Sequence, residues 1–370
     1  MSAVTQTHDV DRVSSPARRS AVHRWSSVLA FGFDVDRLGN RRRPVWRNVV
    51  VLAVALPAVS LWAIYRIFTT ATGPWLWALT FGLYVFTMFG VTLGNHRYWT
   101  HRGFKAREPL RWVMAVASGL SAQGTIEQWA STHRAHHRSA DVVGVDPHSP
   151  YEYAGWRGLK GLVWAQGVWL LFDHPVPRQR DLAEDRVVQW EGKAFPFLVV
   201  GQFVVLLACY PLLGLNAVLI AGALRVAALL TSTGLVNSVC HRWGARAQDS
   251  RGHEYLSDDS RNNVLVALLA GGEGNHSWHH ADPACPRHGR KVDLDPEAVG
   301  AGVKRDSGWR PDATWRLIQL LVAVRLIYDS KPVRTTVYFA DKQRKPNPSL
   351  VATHRRWHIP ERSAAELRRA

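Results

Sequence analysis

Long apolar stretches without a formal charge alternate with strongly polar ones along this chain. Between Arg47 and Arg66 lie 18 uncharged positions, NVVVLAVALPAVSLWAIY, about the shortest run that crosses a hydrocarbon core as a helix. A second run, from Ile67 to Asn95, contains PWLWALTFGLYVFTMFGVTLG after a short turn at Gly73 and Pro74. The third, from Ala194 to Leu224, has 31 residues and is punctuated at YPLLGLN by Pro211, Gly214 and Asn216; the fourth continues to Cys240, interrupted only by Arg225. This pattern predicts an all-α integral membrane protein with four transmembrane helices, at about 48–66, 74–95, 194–213 and 216–239, paired as two hairpins. The competing reading, a soluble protein with buried core helices, does not account for so many charge-free runs of this length.

Charge then gives the hairpins a direction. Arg18, Arg19, Arg24, Arg37, Arg41, Arg42, Arg43 and Arg47 precede the first run, whereas the turns IFTTATG and YPLLGLNA carry no lysine or arginine. The positive-inside rule therefore places both termini and the segment from His96 to Lys193 in the cytosol. The expected domain is residues 46–340, with a cytosolic helical cap built from 96–193 and 241–340. Residues 1–45 form a basic arm without the features of a signal peptide, and 341–370 a basic tail. The net charge of +17 calls for an anionic partner; membrane lipid fits it, and no nucleic acid is expected, because nothing resembles a DNA-reading module. The weakly apolar PLRWVMAVASGLSAQG is expected in the interface. Cys209, Cys240 and Cys285 lack C-x-x-C spacing and imply no disulfide framework.

Histidine carries the candidate chemistry. HRAHH holds His133, His136 and His137, and GEGNHSWHH holds His276, His279 and His280, so the spacing H-x-x-H-H occurs twice. On a helix, i, i+3 and i+4 share one face, and each triplet is expected to offer three nitrogens in one direction. The second run ends in GNHRYWTH, with His96 and His101 at or just beyond its end; the fourth ends in LVNSVCH, with Asn237 and His241 one turn apart. Nine imidazoles plus an asparagine near one membrane face exceed what one ion takes and fit two, although spacing alone leaves iron, zinc, copper and nickel open. A single H-x-x-H-H is as readily a helix with surface histidines; its repetition beside the other pairs favours ligation. The remaining histidines, among them His8, His23, His354 and His358, have no partner spacing and are expected in solvent. His148, in DPH, is the exception, a candidate outer partner to a ligand.

At this point the chain resembles the membrane fatty acyl desaturases of the stearoyl-CoA desaturase type. The likeness runs from about Arg47 to about Pro332 and rests on GNHRYWTHRGFKA, QWASTHRAHH, DPH, LRVAALLTSTGLVNSVCHRWG, DDSRNN and GEGNHSWHH, in the family's order. The resemblance implies a non-haem diiron site, two Fe per chain, that with O2 and two electrons removes two hydrogens from adjacent methylenes of a long fatty acyl chain. The implied ligands are His96, His101, His133, His136, His137, His241, His276, His279 and His280, with Asn237 holding a metal-bound water. Trp129 and Thr233 match positions lining the bend of the acyl tunnel, and Tyr84 a position closing its far end; ordinary bundle packing is the alternative for each. If Tyr84 is the stop, twelve helical residues to His96 make a ruler of about 18 Å, which favours Δ9 insertion into a C16 to C18 chain. Arg225 also matches the family, and a structural role inside the bundle is expected for it, since a cation there is otherwise expensive.

Three departures bear on the acyl carrier. Ser131 and Thr132 stand where acyl-CoA members often have Arg-Asp, RSADVVGVDPH is one residue longer than usual, and Gln166 replaces a histidine. They loosen the choice of CoA over a phospholipid or carrier-protein thioester, with Lys160, Arg157 and Arg178 as candidate phosphate contacts. The chain carries no nicotinamide, iron–sulfur or cytochrome b5 signature, so electrons must come from a separate ferredoxin or flavoprotein reductase. Two rival readings remain, a diiron fatty acid or alkane hydroxylase and a metal-binding transporter or sensor. The latter needs an ionisable series along the spans, which the sequence lacks.

Overall fold

A computed structural model describes residues 33–39, 41–154, 158–174, 178–247, 258–289 and 310–328. Four of its helices are long and apolar enough to cross a membrane: α1 (Trp46–Thr69), α2 (Pro74–Thr100), α6 (Arg186–Ala208) and α7 (Tyr210–His241). Between α2 and α6 lie α3 (Glu108–Leu120), α4 (Ile126–Arg138) and α5 (Leu159–Gln166); after α7 come α8 (Val264–Leu269), α9 (His276–Ala281) and α10 (Ala313–Ala323). The basic N-terminal arm up to residue 32 and the tail from 341 lie outside the described residues, as do Arg157, His8, His23, His354 and His358.

The boundaries differ from the sequence expectation in an instructive way. Helix α2 does not stop at Asn95 but runs to Thr100, so His96 lies within it. Helix α6 begins at Arg186 instead of 194, because its charged first turns are satisfied locally. Asp185 caps it by accepting from the Val187 and Val188 N–H groups, and buried Glu191 accepts from the Ile126 N–H at 3.0 Å. A count that ends at the first charge cuts such a helix short. At the turn expected around Pro211 to Asn216 the helical winding of α7 breaks at Gly214, whose φ of +70° favours glycine. The all-α expectation also needs one amendment: Lys105–Ala106 and Ile327–Tyr328 form a small antiparallel ladder, which ties the segment after α10 to the end of α2.

The long helices pack where their residues are small. The Leu56–Thr69 and Pro74–Phe89 parts of α1 and α2 both contact the Ala217–Leu224 part of α7, around buried Ala63, Leu76, Ala217, Ile220 and Ala221. Helix α3 packs on α6 and on the last turns of α2. At Gly90 an added Cβ would overlap the Ala117 and Ser118 backbone, so glycine is what lets α2 and α3 meet. Arg225 is buried and hydrogen-bonded to neutral groups: its guanidinium donates to Ala221 O at 3.2 Å, Leu120 O at 3.2 Å, Thr87 Oγ1 at 3.4 Å and Gln202 Oε1. It joins α7 to α2, α3 and α6, in keeping with the expected structural role.

Winding matters most at the end of α2. Over Gly90–Thr100 the helix widens to i→i+5 hydrogen bonding, a π-type segment of the kind frequent at functional sites. The His101 N–H donates to His96 O at 3.1 Å. Five residues on an α-helix turn about 500°, which would leave the two side chains on different faces. Wider winding stacks them instead, with ring centroids 4.8 Å apart. It also shortens the path from Tyr84 to His96 below the about 18 Å of a regular helix.

Candidate metal centre

Four elements bring the histidines together. Helix α2 carries His96 and is followed directly by His101, α4 carries His133, His136 and His137, α7 ends at His241, and α9 carries His276, His279 and His280. Helix α4 starts with a capping box, in which the Thr125 hydroxyl accepts from the Gln128 N–H and the Gln128 side chain accepts from the Thr125 N–H. Its N-terminus is thus fixed where Trp129 and His133 follow.

All nine histidines converge, but not as two intact triplets. His96, His101, His133, His137 and His279 form one group, and His136, His241, His276 and His280 a second. This corrects the expectation that each H-x-x-H-H box points one way. In α4 the i, i+4 pair serves the first group while His136 serves the second; in α9 His276 and His280 serve the second while His279 serves the first. The groups are neighbours, with the rings of His137 and His280 4.3 Å apart.

Carboxylates hold the outer nitrogens. His136 Nδ1 donates to Asp146 at 2.8 Å, His241 Nδ1 to Asp141 at 2.8 Å and His280 Nδ1 to Asp258 at 3.0 Å, while His96 Nδ1 contacts Glu273. Such pairing fixes tautomer and ring orientation in metal-binding histidines. With Nδ1 carrying the proton, the Nε2 lone pairs of His241 and His280 face His276 Nε2 at 3.0 and 3.1 Å. In the first group His279 Nε2 lies 3.0 Å from His96 Nε2 and 2.9 Å from His137 Nε2. Each group thus gathers ring nitrogens at a range that a shared N–H or a cation among them would satisfy. The donor sets are therefore suited to two transition-metal ions.

Protonation points the same way. Burial, reinforced by neighbouring imidazoles, holds His101, His133, His137, His276 and His279 well below the ordinary histidine pKa. His280 is lowered to about 4 by burial despite Asp258. Neutral imidazole is the form a metal takes. Burial alone would raise the Glu273 carboxyl, but facing His96, His288 and Arg97 reverse this and hold it well below the usual carboxylate range.

Other expected site residues fall as follows. Trp129 lies beside the first group, its ring 5.6 Å from His96 and 5.0 Å from His133. Asn237 is half-buried on α7, one turn before His241. Thr233 is half-buried, with its hydroxyl donating within α7 to Leu229 O or Leu230 O. Tyr84 Oη donates to Leu269 O at 2.8 Å and lies 2.9 Å from Ser232 Oγ, which ties α2 to α7 and to the end of α8. His148 does lie in the outer layer, its ring 4.5 Å from His136 and its N–H donating to Asp146. Lys160 sits over the rings of Phe33 and Tyr153, and exposed Arg178 is 3.5 Å from Glu127. Gln166 joins α5 to α7, donating to Thr231 O and accepting from Ser238 Oγ.

Sequence reasoning missed six residues. Asp141, Asp146, Asp258 and Glu273 all stand inside quoted motifs, yet a single carboxylate in a loop has no spacing to mark it. His288 and His174 were grouped with the solvent-exposed histidines. His288 is instead 1% exposed with its ring 4.2 Å from His279, and His174 is packed between Trp164 and Trp169. Both belong to loops, where helical periodicity gives no signal.

Four apolar helices of spanning length beneath two buried histidine groups define the class: a multi-pass membrane protein suited to a diiron site. Comparison with known proteins agrees. The fatty acid desaturase family model matches residues 72–291. The chain is 30% identical to stearoyl-CoA desaturase of Homo sapiens over 309 residues, covering 80% of this chain and 77% of that protein. It is 30% identical to an acyl-CoA desaturase of Ovis aries over 308 residues, covering 78% and 75%, and 32% identical to one of Cyprinus carpio over 269, covering 68% and 76%. The chain belongs to the fatty acid desaturase family and is an oxidoreductase of the acyl-CoA desaturase type.

Proposed function

We propose that this chain introduces a cis double bond, near Δ9, into a saturated long-chain fatty acyl thioester, with acyl-CoA as the carrier. The carrier is the one in the relatives' names. The observation that carries the reading is the convergence of nine histidines into two buried, carboxylate-braced groups on a chain of this family. His96, His101, His133, His137 and His279 hold one iron; His136, His241, His276 and His280, completed by Asn237, hold the other. The pair of irons, when bound, supplies with O2 the oxidising power that an unactivated C–H bond demands. Two electrons come from a ferredoxin or flavoprotein reductase acting in trans.

The chain's own residues position the substrate. Trp129, packed on His96 and His133, forms a flat apolar wall that orients a methylene pair. Thr233 lines the bend of the tunnel and Tyr84 closes it. The four spans form two hairpins with both termini and the histidine-bearing cap in the cytosol, as the arginine bias requires. Purified protein given a saturated acyl-CoA, an electron donor and labelled oxygen gas should yield a product lighter by two hydrogens and free of label. A labelled, hydroxylated product would overturn the reading.

Tyr84 allows a test of the tunnel itself. Tyr84→Ala opens space at the proposed stop and also removes the hydroxyl contacts to Leu269 and Ser232. Fed mixed chain lengths, the variant should shift its products toward longer chains with metal content unchanged. An unchanged chain-length profile with lowered stability would make Tyr84 a packing residue.

A further inference from the structure

Beyond the nine histidines, a tenth lies against the first group. His288 sits in the segment after α9, fully buried, with its N–H donating to Asp312 Oδ2 at 3.0 Å. Asp312 is itself anchored: it accepts from the Trp315 N–H as the cap of α10 and pairs with Arg97 at 2.9 Å. The backbone at His288 is thus tied to two helices. Its ring lies over His279, with centroids 4.2 Å apart and planes at 30°, and meets His96 edge-on at 5.0 Å. Its Nδ1 is 3.2 Å from Glu273 Oε2, the same oxygen that contacts His96 Nδ1.

The outer contacts of the ligand set show why this matters. His96, His136, His241 and His280 each have Nδ1 on a carboxylate. His279 does not, and its buried Nδ1 has no hydrogen-bond partner among the described residues. What fixes the His279 ring from behind is His288. A separate ion held by His96, Glu273 and His288, whose ligand atoms do lie close together, is disfavoured by charge. The Arg97 guanidinium already pairs with Glu273 at 3.1 Å and would repel a cation there.

We propose that His288 is a positioning residue for the five-histidine group: by stacking on His279 and touching the Glu273 oxygen that orients His96, it holds two of that group's five rings. It is not itself a ligand. The inference rests on the reading of both groups as metal sites. Loss of an outer partner typically costs 10–100-fold in metal affinity, and here the loss should fall on one site only. The second group, braced by Asp141, Asp146 and Asp258, should be unaffected.

The test follows metal release from the detergent-purified, full-length protein loaded with iron, using a coloured chelator. His279→Ala and His280→Ala assign the release phases, since each removes a ligand from one group. His288→Ala should speed the phase assigned to the five-histidine group by about 10–100-fold and leave the other unchanged. His288→Phe, which keeps a stacking ring in a similar volume, should recover part of the loss. Parental release in both phases for His288→Ala overturns the proposal, and equal acceleration of both phases does so too, because it marks a general structural effect. If His288→Ala does not fold, His288→Phe and His288→Gln carry the same comparison, with Gln expected to release faster than Phe. A parent chain that binds no iron fails the underlying reading instead, before any variant is compared.

Discussion

Replacing His279 by alanine is expected to abolish desaturation and to empty the five-histidine group of its metal. His279 is the one residue of α9 in that group, and its Nε2 lies within 3.0 Å of both His96 and His137. Alanine removes a ring nitrogen from the group outright, so the loss should exceed the 10–100-fold typical of an outer partner. The His137→Ala variant should behave alike, and His354→Ala should match the parent in activity and iron content. Iron analysis beside product analysis checks this. Full activity in the His279 variant would remove that residue from the set.

The second large effect is expected at Arg97, which no motif count would select. Arg97 is 1% exposed; its guanidinium pairs with Glu273 at 3.1 Å and Asp312 at 2.9 Å and donates to Pro286 O at 2.6 Å. Arg97→Leu leaves two buried carboxylates without their cation. Removing one partner of a buried ion pair costs about 3–5 kcal/mol. Because Glu273 also orients His96 and Asp312 holds the His288 segment, iron content should fall with stability. Arg178→Leu is the control: its pair with Glu127 is on the surface and worth about 0–1 kcal/mol. Thermal unfolding in detergent should show a large drop for Arg97→Leu and almost none for Arg178→Leu; equal drops would deny the buried network its role.

That the nine histidines belong together was legible because their signal is local. H-x-x-H-H, N-x-x-x-H and a charge-free run each lie within one helix, and helical periodicity converts spacing into direction. What stayed hidden depends on several chain segments at once. The assignment of His136 to one group and His133 and His137 to the other follows from where α2, α7 and α9 stand around α4. The wide winding over Gly90–Thr100, which makes H-x-x-x-x-H a contact pair, has no spacing signature of its own. Glu273, Asp141, Asp146 and Asp258 reach across 177, 100, 10 and 22 residues to their histidines, and a separation of that kind is a property of the fold. The span ends erred for a related reason: Arg186 and Glu191 look like helix terminators until Arg186 is seen to pair with Glu108 and Glu191 to accept from the Ile126 N–H.

The division of each H-x-x-H-H box between two groups also limits how the site can deform. Helix α4 contributes to both groups, and so does α9; each is a short rigid rod that mounts rings for two sites at once. A tilt or slide of either rod moves its rings in both sites together, so the interval between the sites is set by helical pitch and not by the looser geometry of loops or bilayer. The remaining degrees of freedom are unshared: α2 belongs to the first group alone and α7 to the second. Mutational drift in this fold can therefore retune one site through α2 or α7, whereas a single-residue insertion inside either box would put both out of register together.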